Sequence, residues 1–110
     1  MELYAEYIKE REGMDLIEKE YGFCTYKVIN EYIYLADIYI KKEMRKNNLA
    51  RVLTNEVEAI GIDNNCKFIL GSFCLDTNNW RSGKALVKSL GFKYYEKQKK
   101  TNMIYVIKEI

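Results

Sequence analysis

The 110-residue sequence predicts a mixed α/β fold built on a sheet with one parallel pair of strands at its centre. Three observations carry this expectation. Two strongly apolar segments, residues 32–40 and 67–75, are separated by one amphipathic helical stretch, the pattern of a right-handed β-α-β crossover. On either side of that unit, short runs of β-branched and aromatic residues come in pairs around tight turns, so the outer strands pair antiparallel. No proline, repeat or low-complexity tract interrupts the chain, and its length suits one small domain over residues 1–110.

Taken in order, residues 4–11 place Tyr4, Tyr7 and Ile8 at helical spacing, and Gly13 supplies the stop. Residues 15–18 read as a short strand. Tyr21-Gly22 turns the chain into a strand over residues 23–29, rich in β-branched and aromatic side chains. Asn30-Glu31 fits a tight hairpin turn. The next strand, residues 32–40, is the most apolar stretch of the chain, and its one acid, Asp37, marks a polar residue aimed at something. Residues 41–46 form a charged loop.

The helix after that loop carries Leu49, Val52, Leu53, Val57 and Ile60 as an apolar stripe. Gly61 is placed to be its left-handed cap, with Ile62 packing back onto the helix. Residues 67–75 form the second buried strand. Asp76, Thr77, Asn78 and Asn79 then open a helix with Ala85, Leu86 and Leu90 on one face, and Gly91 ends it. Residues 92–96 and 103–107 close the fold as an antiparallel pair around a basic turn at 97–101. The predicted order is α-β-β-β-α-β-α-β-β.

Composition narrows the chemistry. With 48% apolar and 31% charged residues the chain reads as an ordinary soluble globule, and no apolar run approaches the roughly 18–20 residues of a membrane span. The first residues lack the basic region and cleavage site of a signal peptide, so a cytoplasmic location is expected. A net charge of +2 is too small to argue for nucleic acid. Three widely spaced cysteines make neither a disulfide framework nor a zinc site. There is no histidine, which excludes a Ser-His-Asp triad, a Cys-His pair and any His-ligated metal. No metal is expected. Acid–base work falls to carboxylates, tyrosines, lysines, a thiol or water.

The loop from Met44 to Arg51 joins the apolar strand to the β-α-β helix. A helix start presents unpaired N–H groups and partial positive charge, a ready seat for phosphate, and Arg45, Lys46 and Arg51 add cations around it. A backbone that wraps an anion needs positive φ, which asparagine tolerates, and Asn47-Asn48 offers it twice. A solvated basic loop with an asparagine N-cap is the plainer alternative.

At this loop the chain resembles the GNAT superfamily of N-acetyltransferases. The family's Arg/Gln-x-x-Gly-x-Gly/Ala signature is similar to Arg45-Lys46-Asn47-Asn48-Leu49-Ala50, with Asn48 in place of the usual glycine. Residues 35–40 resemble the family's fourth strand, residues 67–75 its fifth, and Ser89-Leu90-Gly91-Phe92 the entry to its sixth. The resemblance implies a GNAT-like, mostly antiparallel sheet whose central parallel strands splay apart, flanked by helices. It implies acetyl-CoA as co-substrate: pyrophosphate on the amides of residues 46–51, and pantetheine against Ile38, Tyr39 and Ile40. Asn78 and Asn79 stand where the family often contacts the cofactor, although helix capping explains them equally well.

The implied reaction moves an acetyl group to a primary amine, on a small molecule or a protein lysine. Asp37 is the base candidate; pairing with a neighbouring Lys or Arg is its competing role. The family's usual tyrosine acid falls at Val87, which leaves Tyr34, Tyr39 or water, with Tyr34 the leading candidate. Trp80 is either a packing anchor or a wall of the pocket, and Cys74 is either reactive or a small buried residue. The N-terminal part is short against larger members, so one side of the acceptor pocket is open or completed by a second copy, a homodimer. Two other readings stand beside this one. A non-catalytic acyl-CoA-binding or protein-interaction domain follows from the lost glycine and tyrosine. Nucleic-acid binding would use Lys93, Tyr94, Tyr95, Lys97, Lys99 and Lys100, otherwise a solvated hairpin.

Overall fold

The computed structural model describes residues 2–75 and 80–110. Its elements follow the predicted order: α1 (Glu2–Glu12), β1 (Asp15–Lys19), β2 (Gly22–Ile29), β3 (Tyr32–Ile40), a 3₁₀ turn at Lys42–Met44, α2 (Leu49–Asp63), β4 (Phe68–Cys74), α3 (Trp80–Ser89), β5 (Lys93–Gln98) and β6 (Met103–Glu109). The strands form one sheet in the order β1-β2-β3-β4-β6-β5. Every neighbouring pair is antiparallel except β3 and β4. The mixed sheet with a parallel centre is therefore present.

Turns are built by residues that accept positive φ. Gly13 (φ 68°) ends α1 with its N–H on the Lys9 carbonyl, and Gly91 (φ 84°) ends the turn after α3. Asn30 (φ 52°) makes the β2–β3 hairpin. The core lies between the sheet and α2 with α3: Ile33, Leu53, Val57, Ile69 and Val106 are fully buried there, with Leu35, Phe73, Leu86 and Phe92 around them. On the other face α1 sends Tyr4 against Phe23 (ring centroids 5.7 Å), which in turn meets Tyr39 (5.8 Å).

Four expectations about the helices need correction. Gly61 is not a cap, because α2 runs on to Asp63, with Asn64 as the closing residue and Asn65 (φ 62°) taking the left-handed position. Gly61 is buried instead, where a Cβ would lie 2.8 Å from Ile110 Cδ1 and 3.1 Å from Ile33 Cγ2, so its lack of a side chain lets the helix approach the sheet. Ile62 is 55% exposed rather than folded back into the core, and Val52 is likewise exposed; the buried stripe is Leu53, Thr54, Val57 and Gly61. In α3 Ala85 faces solvent, and the buried positions are Gly83 and Leu86, then Leu90 just past its end.

Candidate active site

The central strands part company halfway along. β3 and β4 pair only from Tyr32↔Phe68 to Leu35↔Gly71. Beyond that rung β3 continues to Ile40 against β2, and β4 continues to Cys74 against β6, so each keeps its outer partner while the inner edges diverge. A β-bulge accompanies the split: Leu35 faces Tyr26 and Asp37 faces Thr25, which leaves Ala36 as the extra residue on β3. The bulge switches the alternation. Ile33 and Leu35 are buried before it, Ile38 and Ile40 pack on the core after it, and Asp37 and Tyr39 turn to the α1 side. The opening is a cleft lined by Leu35, Ala36, Asp37 and Ile38 from β3, Ser72 and Phe73 from β4, and Gly83 and Leu86 from α3.

At the far end of β3 sits the loop. Asn48 has φ 60° and ψ 21°, and Lys46 has φ 69°, so two residues of the loop are left-handed. The second is Lys46, not Asn47. Asn47 instead turns its side-chain amide onto the Met44 carbonyl at 3.1 Å and the Arg45 carbonyl at 3.5 Å, knotting the loop from within. Asn48 does occupy the N-cap position of α2, but it makes no side-chain cap bond. Among the described residues, the main-chain N–H groups of Lys46, Asn47, Asn48, Leu49, Ala50 and Arg51 have no acceptor, and the first helical bond is Val52 N–H to Asn48 O at 3.3 Å. These donors lie together at the positive end of α2, where a helix start favours negative charge.

The three cations expected around that seat are used differently. Arg45 Nε donates to the Ile40 carbonyl at 2.8 Å, and its guanidinium lies 5.5 Å from the Tyr39 ring centroid, so the side chain ties the loop to β3. Arg51 donates to the Ser89 carbonyl, where it satisfies the C-terminal end of α3. Lys46 is exposed on the loop.

Asp37 has no salt-bridge partner among the described residues, so its competing role as half of an ion pair is not realised. The Oγ1 of Thr25, its cross-strand neighbour, is buried and unbonded. Partial burial pushes the Asp37 carboxyl above its ordinary range, and the negative charge of Glu12 pushes it further. Tyr34 reaches across to β4, with its hydroxyl 2.5 Å from Ser72 Oγ. The cleft therefore brings together Asp37, Ser72 and, through Ser72, Tyr34, while Val87 is a partly buried core neighbour. The sequence pattern missed Ala36, Ser72, Phe73 and Gly83. Only Ala36 had a signal, the shift of aliphatic parity between Ile33/Leu35 and Ile38/Ile40.

Cys24 is fully buried, and desolvation pushes its thiol up to about 12, which makes it no nucleophile. Cys74 Sγ lies 3.7 Å from the Thr101 carbonyl, beside the β5–β6 turn. Asn78 and Asn79 lie outside the described residues, as does the side chain of Trp80. No group of His, Cys, Asp and Glu able to hold a metal occurs among the described residues.

The six-stranded sheet is thus split at its one parallel pair, with a bare helix start at the mouth of the split. The family profile of the GNAT acetyltransferases matches residues 3–92. The chain belongs to the GNAT acetyltransferase family. No curated protein matches its sequence. Among solved structures it is similar to the PaiA N-acetyltransferase of Thermoplasma acidophilum in complex with coenzyme A (17% identity, 98% of this chain and 69% of that one, TM-score 0.73). It is similar to a GNAT family acetyltransferase of Elizabethkingia anophelis with acetyl-CoA bound (14%, 99% and 82%, TM-score 0.73). A third is the ribosomal-protein-alanine N-acetyltransferase of Brucella melitensis (15%, 99% and 78%, TM-score 0.69). At these identities the likeness establishes a shared fold.

Proposed function

We propose that residues 1–110 act as one acyltransferase domain, moving an acetyl group from acetyl-CoA to a primary amine. One observation carries this reading: the unbonded amides of residues 46–51 and the unpaired inner edge of β3 beyond Leu35 meet at the same end of the sheet. The amides of Lys46, Asn47, Asn48, Leu49, Ala50 and Arg51 would hold the pyrophosphate, with the Lys46 ammonium adding charge. The pantetheine arm would run along Ile38, Tyr39 and Ile40 in the gap, and Asn78 and Asn79 would add contacts from beyond β4. Two bound neighbours, one with coenzyme A and one with acetyl-CoA, support the choice of ligand.

Transfer needs a neutral amine, alignment, and a proton for the departing sulfur. Asp37 faces the open α1 side, from which the acceptor, a small amine or a protein lysine, would enter. As the amine nitrogen bonds to the thioester carbon, Asp37 takes its proton. The carbon–sulfur bond breaks with its electrons on sulfur, and Tyr34 is the source of the proton that sulfur takes up. The reaction would run in the cytoplasm, with the acceptor side either open or closed by a second copy of the chain.

Titration calorimetry with acetyl-CoA tests it. Saturable heat is expected, with affinity reduced roughly tenfold or more by Asn48→Asp, which sets a carboxylate among the anion-binding amides, and by Arg45→Ala, which unties the loop from β3. Silence at millimolar acetyl-CoA would end the proposal. A specific observation keeps a non-catalytic acyl-CoA-binding domain as the second reading: Lys46 and Asn48 both hold left-handed conformations without being glycine. Tight binding with no thiol release across an amine panel would decide for it.

A further inference from the structure

We infer that Ser72 is the group that hands the proton to the departing sulfur, with Tyr34 positioned behind it as the proton's source; the inference rests on the transferase reading above. Ser72 lines the cleft, and it is the first β4 residue past the last rung of the parallel ladder, Leu35↔Gly71. Ser72 therefore stands at the apex of the gap between the diverging strands. Tyr34 precedes that rung on β3, and its phenol spans the two strands to reach Ser72 Oγ at 2.5 Å. The bond is part-buried, and Tyr34 is not itself among the residues that line the cleft.

Ser72 is the cleft's hydroxyl; Leu35, Ala36, Ile38, Phe73, Gly83 and Leu86 offer only apolar side chains or none, and Asp37 is already engaged as the base. A serine alone is a poor acid, since its alkoxide is costly. A phenol that refills the serine as it gives up its proton removes that cost, and a short hydrogen bond between the two oxygens sets the geometry for such a handover. As the carbon–sulfur bond breaks, sulfur keeps the electron pair and takes the Ser72 proton. The Ser72 oxygen takes the Tyr34 proton in the same motion. Solvent then takes the amine's proton from Asp37 and returns one to the Tyr34 phenolate, so protons and charge balance over the cycle.

The experiment has a kinetic and a binding arm, both on the whole chain. With acetyl-CoA and an accepted amine, Ser72→Ala is expected to lower kcat about 100-fold with KM for acetyl-CoA nearly unchanged, and Tyr34→Phe to lower kcat by a comparable factor, because the serine left without its phenol is a poor acid. In the binding arm, coenzyme A is bound and its thiolate absorbance followed against pH. The bound thiol is expected to ionise at lower pH than free coenzyme A in the native chain, and to return toward the free value in Ser72→Ala. A purely structural Tyr34–Ser72 bond would lower Tm in both variants and leave the thiol's titration and kcat alone; that outcome overturns the inference while the transferase reading stands. If coenzyme A does not bind the native chain, the transferase reading fails and this inference with it.

Discussion

Asp37 breaks a strand of aliphatic and aromatic residues, and the sequence alone marks it as unusual. Its lack of a cationic partner was not legible there, because an ion pair depends on which strands and loops come close. In the fold, partial burial and Glu12 raise its pKa. The sign of the consequence follows directly. A carboxyl whose folded pKa exceeds its unfolded value of about 3.9 binds its proton more tightly in the folded chain. Its contribution is most favourable at low pH and is lost as pH rises through the folded pKa. Asn cannot ionise, so Asp37→Asn is expected to melt slightly higher than the native chain at pH 7, with the difference closing toward about pH 4. The same variant should lose about 100-fold in kcat as the base is removed. Thermal melts across pH and steady-state thiol release check both halves. A variant that melts lower at pH 7 would show that the carboxylate is held by a favourable contact. Ser72 shows the opposite limit of legibility: a serine in a strand carries no pattern, and its neighbour in space is 38 residues away in sequence.

Elements were readable where periodicity decided them and misread where packing did. β3 has the predicted bounds because a hairpin turn and a charged loop enclose a continuous apolar run. The end of α2 was misplaced because glycine is ambiguous: it caps helices, and it also sits wherever a helix must press close to its neighbour. Gly61 does the second, and Gly83 does so more severely. A Cβ on Gly83 would stand 2.0 Å from both Cγ and Cδ1 of Phe73, closer than any contact allows, so the ring of a core residue would have to leave its place. Phe73 is also a wall of the cleft. Gly83→Ala is thus expected to cost about 1–3 kcal/mol by urea unfolding, despite the better helix propensity of alanine. Acetyl-CoA affinity should fall with it. An unchanged urea midpoint would mean that α3 stands away from β4 in solution. The loop was legible in kind, a helix start with residues of positive φ, but not in detail. Lys46 rather than Asn47 takes the second left-handed position, since Asn47 spends its amide on two carbonyls.

On the scale of the molecule, the sheet is two three-stranded halves, β1-β2-β3 and β4-β6-β5. Backbone bonds join them along the short ladder from Tyr32↔Phe68 to Leu35↔Gly71 and just below it, where Lys67 N–H meets the Glu31 carbonyl. The β-α-β pattern predicted that the halves would be parallel neighbours, and apolar content predicted that both central strands would be buried. How far two parallel strands stay in register is set by a bulge, which is a matter of backbone geometry, so the extent of the split was not written in composition. Above the ladder the inner edges of β3 and β4 lack each other's hydrogen bonds, which marks them as the least protected part of an otherwise continuous sheet. A ligand lying there like an added strand would bond to the free edge of β3 and couple the two halves. Amide hydrogen exchange measures this directly. With coenzyme A near 100 times its Kd, global stability should rise by about 2.7 kcal/mol. Beyond that general gain, exchange should slow most at residues 36–40 and at the loop amides of 46–51, with little added change in the β1–β2 hairpin. Uniform slowing, with no excess along β3 or the loop, would place the ligand elsewhere on the molecule and leave the gap between the strands without its role.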